Sequence, residues 1–129
     1  MDTPVTDLPL AQAEAPFILA LDIGSSSTRA LLYDARARRI AAAAAHEAYT
    51  LRIGSDGAAE VDPNEALERA ARCLDAVLAL AGPAAARIGA VAVDTLAATF
   101  VALDAAGRPL TPLITYADTR AAPDAAALR

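Results

Sequence analysis

The chain has 129 residues, 56% of them hydrophobic but only 4% aromatic, and a formal net charge of −5. This is the length of one ordinary domain, able to bury about two-thirds of its unfolded surface, and because alanine buries little area the core must lean on Leu, Ile and Val. The acidic balance disfavours a nucleic-acid backbone as partner, and no stretch approaches the ~20 apolar residues of a membrane span, so small molecules are the expected ligands.

Residues 1–16, with Pro4, Pro9 and Pro16 among small and acidic neighbours, read as a disordered leader. Asp2, Asp7 and Glu14 within it do not fit a secretory signal. Cys73 is the one cysteine and has no internal disulfide partner, which fits a reducing compartment. A soluble cytoplasmic protein is expected.

Order should begin at Phe17. The apolar runs Phe17 to Ile23 and Thr28 to Asp34 read as strands covered on both faces. Gly24-Ser25-Ser26-Ser27 between them makes the pair a hairpin with a polar tip. Ile40 to Leu51 reads as a third strand, although Ala41 to Ala45 fits a helix equally well on propensity. "IGSDGAAEVDP" reads as a loop broken by Gly54 and Gly57. Asp62 is then an N-cap, with Pro63 at the first helical position and Glu65 placed to reach back to the Asp62 N–H. The helix carries Leu67, Ala70, Leu74, Val77, Leu78 and Ala81 on one stripe, and Gly82-Pro83 ends it. Ile88 to Val93 reads as a buried strand and Thr99 to Leu103 as a fifth. "DAAGRPL" is a hairpin turn into a short segment near Leu113 to Tyr116, and Ala121 to Arg129 begins a further helix.

The first hairpin tip is chemically suited to phosphate. Gly24 permits close backbone approach, the N–H groups around Ser25 to Ser27 can form an anion-binding concavity, and the hydroxyls add donors. Asp22 can hold a hydrated Mg²⁺, and Arg29 can meet negative charge developing on a phosphoryl group. The same residues also read as an ordinary Gly-Ser turn with a solvated strand end. His46 has no partner at metal or triad spacing and reads as a sheet-face residue. Cys73 reads as packing and Asp94 as a strand end.

Three segments carry a resemblance. "LALDIGSSSTRALLYDARARRI" resembles the opening of the FGGY carbohydrate kinases, with their D-x-G-[ST]-[ST]-S-x-[KR] phosphate motif. "GAAEVDPNEAL" is similar to that family's E-x-D-P segment, and "IGAVAVDTLAATFVALDAAGRPLTPLITYADTR" to its central strand, hairpin and W-x-D-x-R motif. The wording of "PLTPLITYADTR" is nearest the gluconokinase-like branch.

The resemblance implies an α/β fold with a ribonuclease H-like, actin-like ATPase sheet, residues 17–129 forming part of an FGGY N-terminal domain. It implies transfer of the ATP γ-phosphoryl to a sugar or sugar-acid hydroxyl with Mg²⁺. Asp22, Gly24, Ser25, Ser26, Ser27 and Arg29 carry over to the metal and phosphate side, and Tyr116, Asp118 and Arg120 to the sugar side or its support. Two departures stand out. Ala97 and Ala98 occupy positions where the family usually places polar sugar contacts, and Tyr116 stands for the motif's tryptophan. The family's general-base aspartate and adenosine-binding segments have no counterpart here, so the chain alone is expected to be inactive. It would act with a partner chain supplying the missing part, or persist as a non-catalytic remnant that binds nucleotide weakly.

Overall fold

The computed structural model describes residues 7–128. In chain order its elements are β1 (Phe17–Ile23), β2 (Ser27–Tyr33), β3 (Arg39–Ala48), β4 (Arg52–Ile53), β5 (Ala59–Val61), α1 (Pro63–Ala81), β6 (Ile88–Thr95), β7 (Leu113–Ile114) and α2 (Ala122–Ala127). The main sheet has the order β3-β2-β1-β6. Its first three strands meander antiparallel, and β6 lies parallel to β1. A parallel neighbour needs a crossover, and α1 lies within that connection. A second sheet, β4-β5-β7, is built from short antiparallel strands.

One face of the main sheet carries the core. Phe17, Leu19 and Leu21 of β1 and Ala30 and Leu32 of β2 are buried, and the register sets Leu21 opposite Ala30 and Leu19 opposite Leu32. Ala70, Cys73, Val77 and Ala81 of α1 join the same core. The alternate residues Ile18, Ala20 and Leu31 are only half-buried, so β1 and β2 are covered fully on one face rather than on two.

Local chemistry explains where elements start and stop. The Asp62 carboxylate accepts from the N–H groups of Asn64 (2.8 Å) and Glu65 (3.3 Å), capping α1 as expected, with Pro63 in its first turn. Glu65 does not reach back to the Asp62 N–H. It accepts instead from the Arg69 guanidinium at 2.8 Å, an i,i+4 pair. The expected stripe holds at Ala70, Leu74, Val77 and Ala81 but takes in Cys73 and leaves out Leu67 and Leu78. Cys73 is fully buried, whereas Leu67 is 70% exposed, because the small residues at 70, 73, 77 and 81 let the helix approach the sheet closely.

Several expectations are corrected. The part of the leader over residues 1–6 lies outside the described residues, but from residue 7 the chain is packed. Leu8 bridges Ile40 and is buried with Ala13, and a 3-10 turn covers Leu10–Gln12. The alanine-rich segment resolves as strand β3, since pairing with β2 and burial of Ala43 override alanine's helical preference. The 53–63 "loop" is a hairpin: Gly54 donates to the Ala58 carbonyl, and Gly57, at φ +92°, turns the chain. Thr99 to Leu103 forms no strand, only isolated bridges from Phe100 to Ile114 and from Leu103 to Pro109. β6 exists and runs to Thr95, but it is exposed. Val91 and Val93 are 60% and 59% accessible because α1 lies over β2 and β3, and nothing among the described residues covers β6.

Candidate functional site

The hairpin register places Asp22 directly opposite Arg29, with Ile23 opposite Thr28 above them and Gly24–Ser26 forming the tip. Pairs in register share a face, so the carboxylate and the guanidinium lie side by side below the turn. Their approach is loose: Arg29 Nε is 3.7 Å from Asp22 Oδ2 and donates to Ser27 Oγ at 3.3 Å. Both side chains remain about half-exposed. The same row of the sheet continues to His46, opposite Arg29, and to Asp94, beside Asp22. Asp94 turns its carboxylate onto the Thr95 N–H.

The turn itself is closed by Gly24 donating to the Ser27 carbonyl at 2.9 Å. Among the described residues the N–H groups of Ser25 and Ser26 find no acceptor. A Cβ at Gly24 would come within 3.3 Å of the Ser27 carbonyl and 3.6 Å of Asp22 Oδ1, so glycine keeps the concavity open. Two free N–H groups, three hydroxyls and a neighbouring guanidinium suit an anion with several oxygens. An exposed carboxylate beside them suits a hydrated divalent cation. A phosphate group with a hydrated Mg²⁺ fits this donor set.

The other expected site residues gather elsewhere. Ala97 and Ala98 form an exposed turn after β6, at the same end of the sheet as the hairpin tip, since β6 runs parallel to β1. Ala98 sits at φ +47°, a left-handed conformation that L-residues adopt at a cost. Tyr116 is 63% exposed. Asp118 and Arg120 are joined to each other and to the second sheet. Asp118 accepts from the Ala59 N–H (3.1 Å) and from the Arg120 N–H and guanidinium, and Arg120 donates on to Glu60 at 2.6 Å. Thr115, buried, donates to the Ala59 carbonyl. The Arg120 guanidinium holds the Asp118 carboxyl well below the usual carboxylate range, and Asp118 and Glu60 in turn raise Arg120.

This network latches β5 to the segment after β7. Among the described residues no hydrogen bond joins it to the hairpin tip. Glu60, the glutamate of the E-x-D-P segment, is the latch's third charged member. An apolar cleft lies between the two sheets, lined by Ile23, Ala66, Leu67, Thr95, Leu96 and Leu113 among others. It has few donors for hydroxyl groups.

A mixed sheet in this strand order, with a polar hairpin at its first turn and a crossover helix, defines an actin-like ATPase fold. The crystal structure of xylulose kinase from Rhodospirillum rubrum superposes with a TM-score of 0.80 at 32% identity, covering 88% of this chain and 23% of that one. The model for the FGGY family of carbohydrate kinases, N-terminal domain, matches residues 17–129, and the chain belongs to that family. Among curated relatives, a xylulose kinase from Streptomyces coelicolor is 32% identical over 118 residues, 90% of this chain and 23% of the relative. A glycerol kinase from Rhodospirillum centenum is 34% identical over 116 residues, 89% of this chain and again 23% of the relative. The chain thus spans about a quarter of the length of the relatives it matches.

Proposed function

We propose that this chain is the phosphate-binding portion of a carbohydrate kinase that transfers the γ-phosphoryl of ATP to a hydroxyl of a sugar, polyol or sugar acid. The observation that carries the reading is the register pair Asp22–Arg29 beneath the open Gly24–Ser27 turn. ATP with Mg²⁺ supplies the transferred group and the charge that neutralises it. Asp22 retains the hydrated cation, the Ser25 and Ser26 N–H groups with the hydroxyls of Ser25 to Ser27 hold phosphate oxygens, and Arg29 stabilises charge on the transferred group. The gluconokinase-like wording around Tyr116 to Arg120 favours a sugar acid. The general base and the adenosine contacts come from outside these 129 residues, from a partner chain or a further part of the protein. The setting is cytoplasmic, in keeping with the lone cysteine; no helix among the described residues is long and apolar enough to cross a membrane.

The test is a coupled assay with gluconate, xylulose and glycerol. The isolated chain should consume no ATP in response to any of them, because positioning supplies nearly all of the catalysis in phosphoryl transfer. Complemented with the C-terminal portion of such a kinase, it should turn over one of them. Robust turnover by the isolated chain would overturn the division of labour, and no turnover in any complemented form would overturn the kinase reading.

A second reading, a remnant that binds nucleotide without catalysis, is favoured by the Ala97–Ala98 turn. Two methyl groups there cannot bond a hydroxyl. It predicts Mg-ATP binding with no sugar-dependent turnover in every assembly.

A further inference from the structure

We propose that Tyr49 and Arg69 are positioning residues for the phosphate turn, a role that rests on the kinase reading above. Tyr49 lies just past the end of β3, and its N–H donates to the Ser26 carbonyl at 2.8 Å, extending the β2–β3 ladder to the hairpin tip. Its hydroxyl then crosses the tip and donates to the Gly24 carbonyl. One residue from a third strand therefore fixes both arms of the turn.

Tyr49 is itself held in place. The Arg69 guanidinium of α1 stacks over its ring, 4.8 Å from the centroid, and Arg69 is anchored by Glu65 one turn earlier. The side chain of Arg69 is only 17% exposed, and its Nη1 is buried without a partner. A buried guanidinium nitrogen left unpaired is costly, and the ring face returns part of that cost through the cation–π contact.

The consequence lies in the two carbonyls. With the Gly24 and Ser26 oxygens tied to Tyr49, those two peptide planes are fixed, and each plane also carries the N–H of the following residue. The Gly24–Ser25 plane orients the Ser25 N–H, one of the two unpaired donors, and the Ser26–Ser27 plane fixes where the turn rejoins β2. Donors set before the anion arrives need no reorganisation when it binds. Glu65 and Arg69 thus tie the first turns of α1 to the phosphate turn across the sheet, without touching nucleotide.

The variant Tyr49→Phe keeps the ring and the Arg69 stack but removes the bond to Gly24. In the purified 129-residue chain, amide hydrogen exchange at Gly24 and at position 49, whose N–H groups are bonded to the Ser27 and Ser26 carbonyls, should rise at least several-fold while the β1 centre, Leu19 to Leu21, stays as protected as in wild type. Titration with Mg-ATP followed by amide shifts should show affinity weakened about two- to ten-fold, the worth of one hydrogen bond. Arg69→Met, which unstacks the ring, should reproduce both effects and serves if Tyr49→Phe folds poorly.

Unchanged exchange at the tip in both variants would overturn the brace. Wild-type binding of Mg-ATP with equal affinity in Tyr49→Phe would overturn its positioning role and leave the kinase reading standing. A wild-type chain that binds no Mg-ATP at millimolar concentration, while tip exchange still responds to Tyr49→Phe, would count against the nucleotide reading of the turn and support the brace.

Discussion

Asp22 and Asp34 show how neighbouring carboxylates on one hairpin are put to different uses. Asp22 stays half-exposed with one loose partner at 3.7 Å, an ion pair of a kind worth about 0–1 kcal/mol. A complete assembly carrying Asp22→Asn should therefore lose turnover by orders of magnitude while its melting temperature barely moves. Comparable turnover in the two proteins would end the metal role assigned to Asp22. Asp34 is fully buried and accepts from the N–H groups of Arg36 and Arg38 at 3.0 Å each and from the Arg38 guanidinium. The Arg38 bond, aided by the backbone donors, holds its carboxyl far below the ordinary value of 3.8. A folded value below the unfolded one stabilises fully above the unfolded value, and that contribution is lost as pH falls through the folded one. Asp34→Asn should accordingly melt below wild type at neutral pH, and the gap should narrow in acid as pH drops under 3.8. A gap that stayed constant with pH would show that the carboxylate's charge is not what matters.

At the scale of elements, the two reverse turns Asp34–Arg38 and Asp104–Arg108 use the same chemistry. In each, the aspartate carboxylate accepts from the N–H groups two and four residues on and from the arginine guanidinium, and its own N–H donates to the arginine carbonyl. In each, the fourth residue has positive φ: Gly107 at +77°, but Ala37 at +59°. Ala37→Gly should be neutral or stabilising by up to about 1 kcal/mol and Gly107→Ala destabilising by about 1 kcal/mol, read from urea midpoints. The "DAAGRPL" turn was legible in the sequence through its glycine. "DARAR" was not, because its signal is the Asp and Arg four apart rather than a breaker residue.

The same contrast runs through the helix and the site. The α1 start was readable, since Asp62 and Pro63 act locally, and Asp62→Ala should cost about 1 kcal/mol. Most of the core-facing stripe was readable, at Ala70, Leu74, Val77 and Ala81, but its edges at Leu67 and Cys73 were not, since these depend on how close the sheet comes. Leu67→Ala should change stability by less than about 0.5 kcal/mol, where a buried leucine at that position, as the stripe predicted, would have cost several times more. At the turn, Asp22, Gly24 and Arg29 stand out by their spacing in one segment, and the structure pairs Asp22 with Arg29. Tyr49 and Arg69 were missed because their contacts reach across 25 and 20 residues, and the pairing of Glu60 with Arg120, 60 residues on, was not readable from its own segment. Their signal is long-range pairing, which a single sequence does not display.

For the whole molecule, one edge of the sheet is partly covered and the other is open. β3 is covered at its edge by the packed segment around Leu8, which donates to the Arg39 carbonyl and accepts from Ala41. β6 has no strand beyond it among the described residues, and Val91 and Val93 leave its core-side face more than half accessible. The register sets Val91 beside Leu19 and Val93 beside Leu21, so they continue the apolar face past the reach of α1. An unpaired strand edge next to exposed apolar residues is a template for pairing with another chain. The net charge of −5 opposes self-association only at long range and is screened by salt. The isolated chain should therefore self-associate at high concentration, more so as ionic strength rises, and sedimentation velocity would read this directly. Val93→Lys places a charge on the open face while removing little buried area, so it should shift the chain toward monomer and change its unfolding free energy by less than about 0.5 kcal/mol. A wild-type chain that sediments as a monomer at every salt and protein concentration would show that β6 is not an adhesive edge, and a large loss of stability in Val93→Lys would show that Val93 is buried in solution.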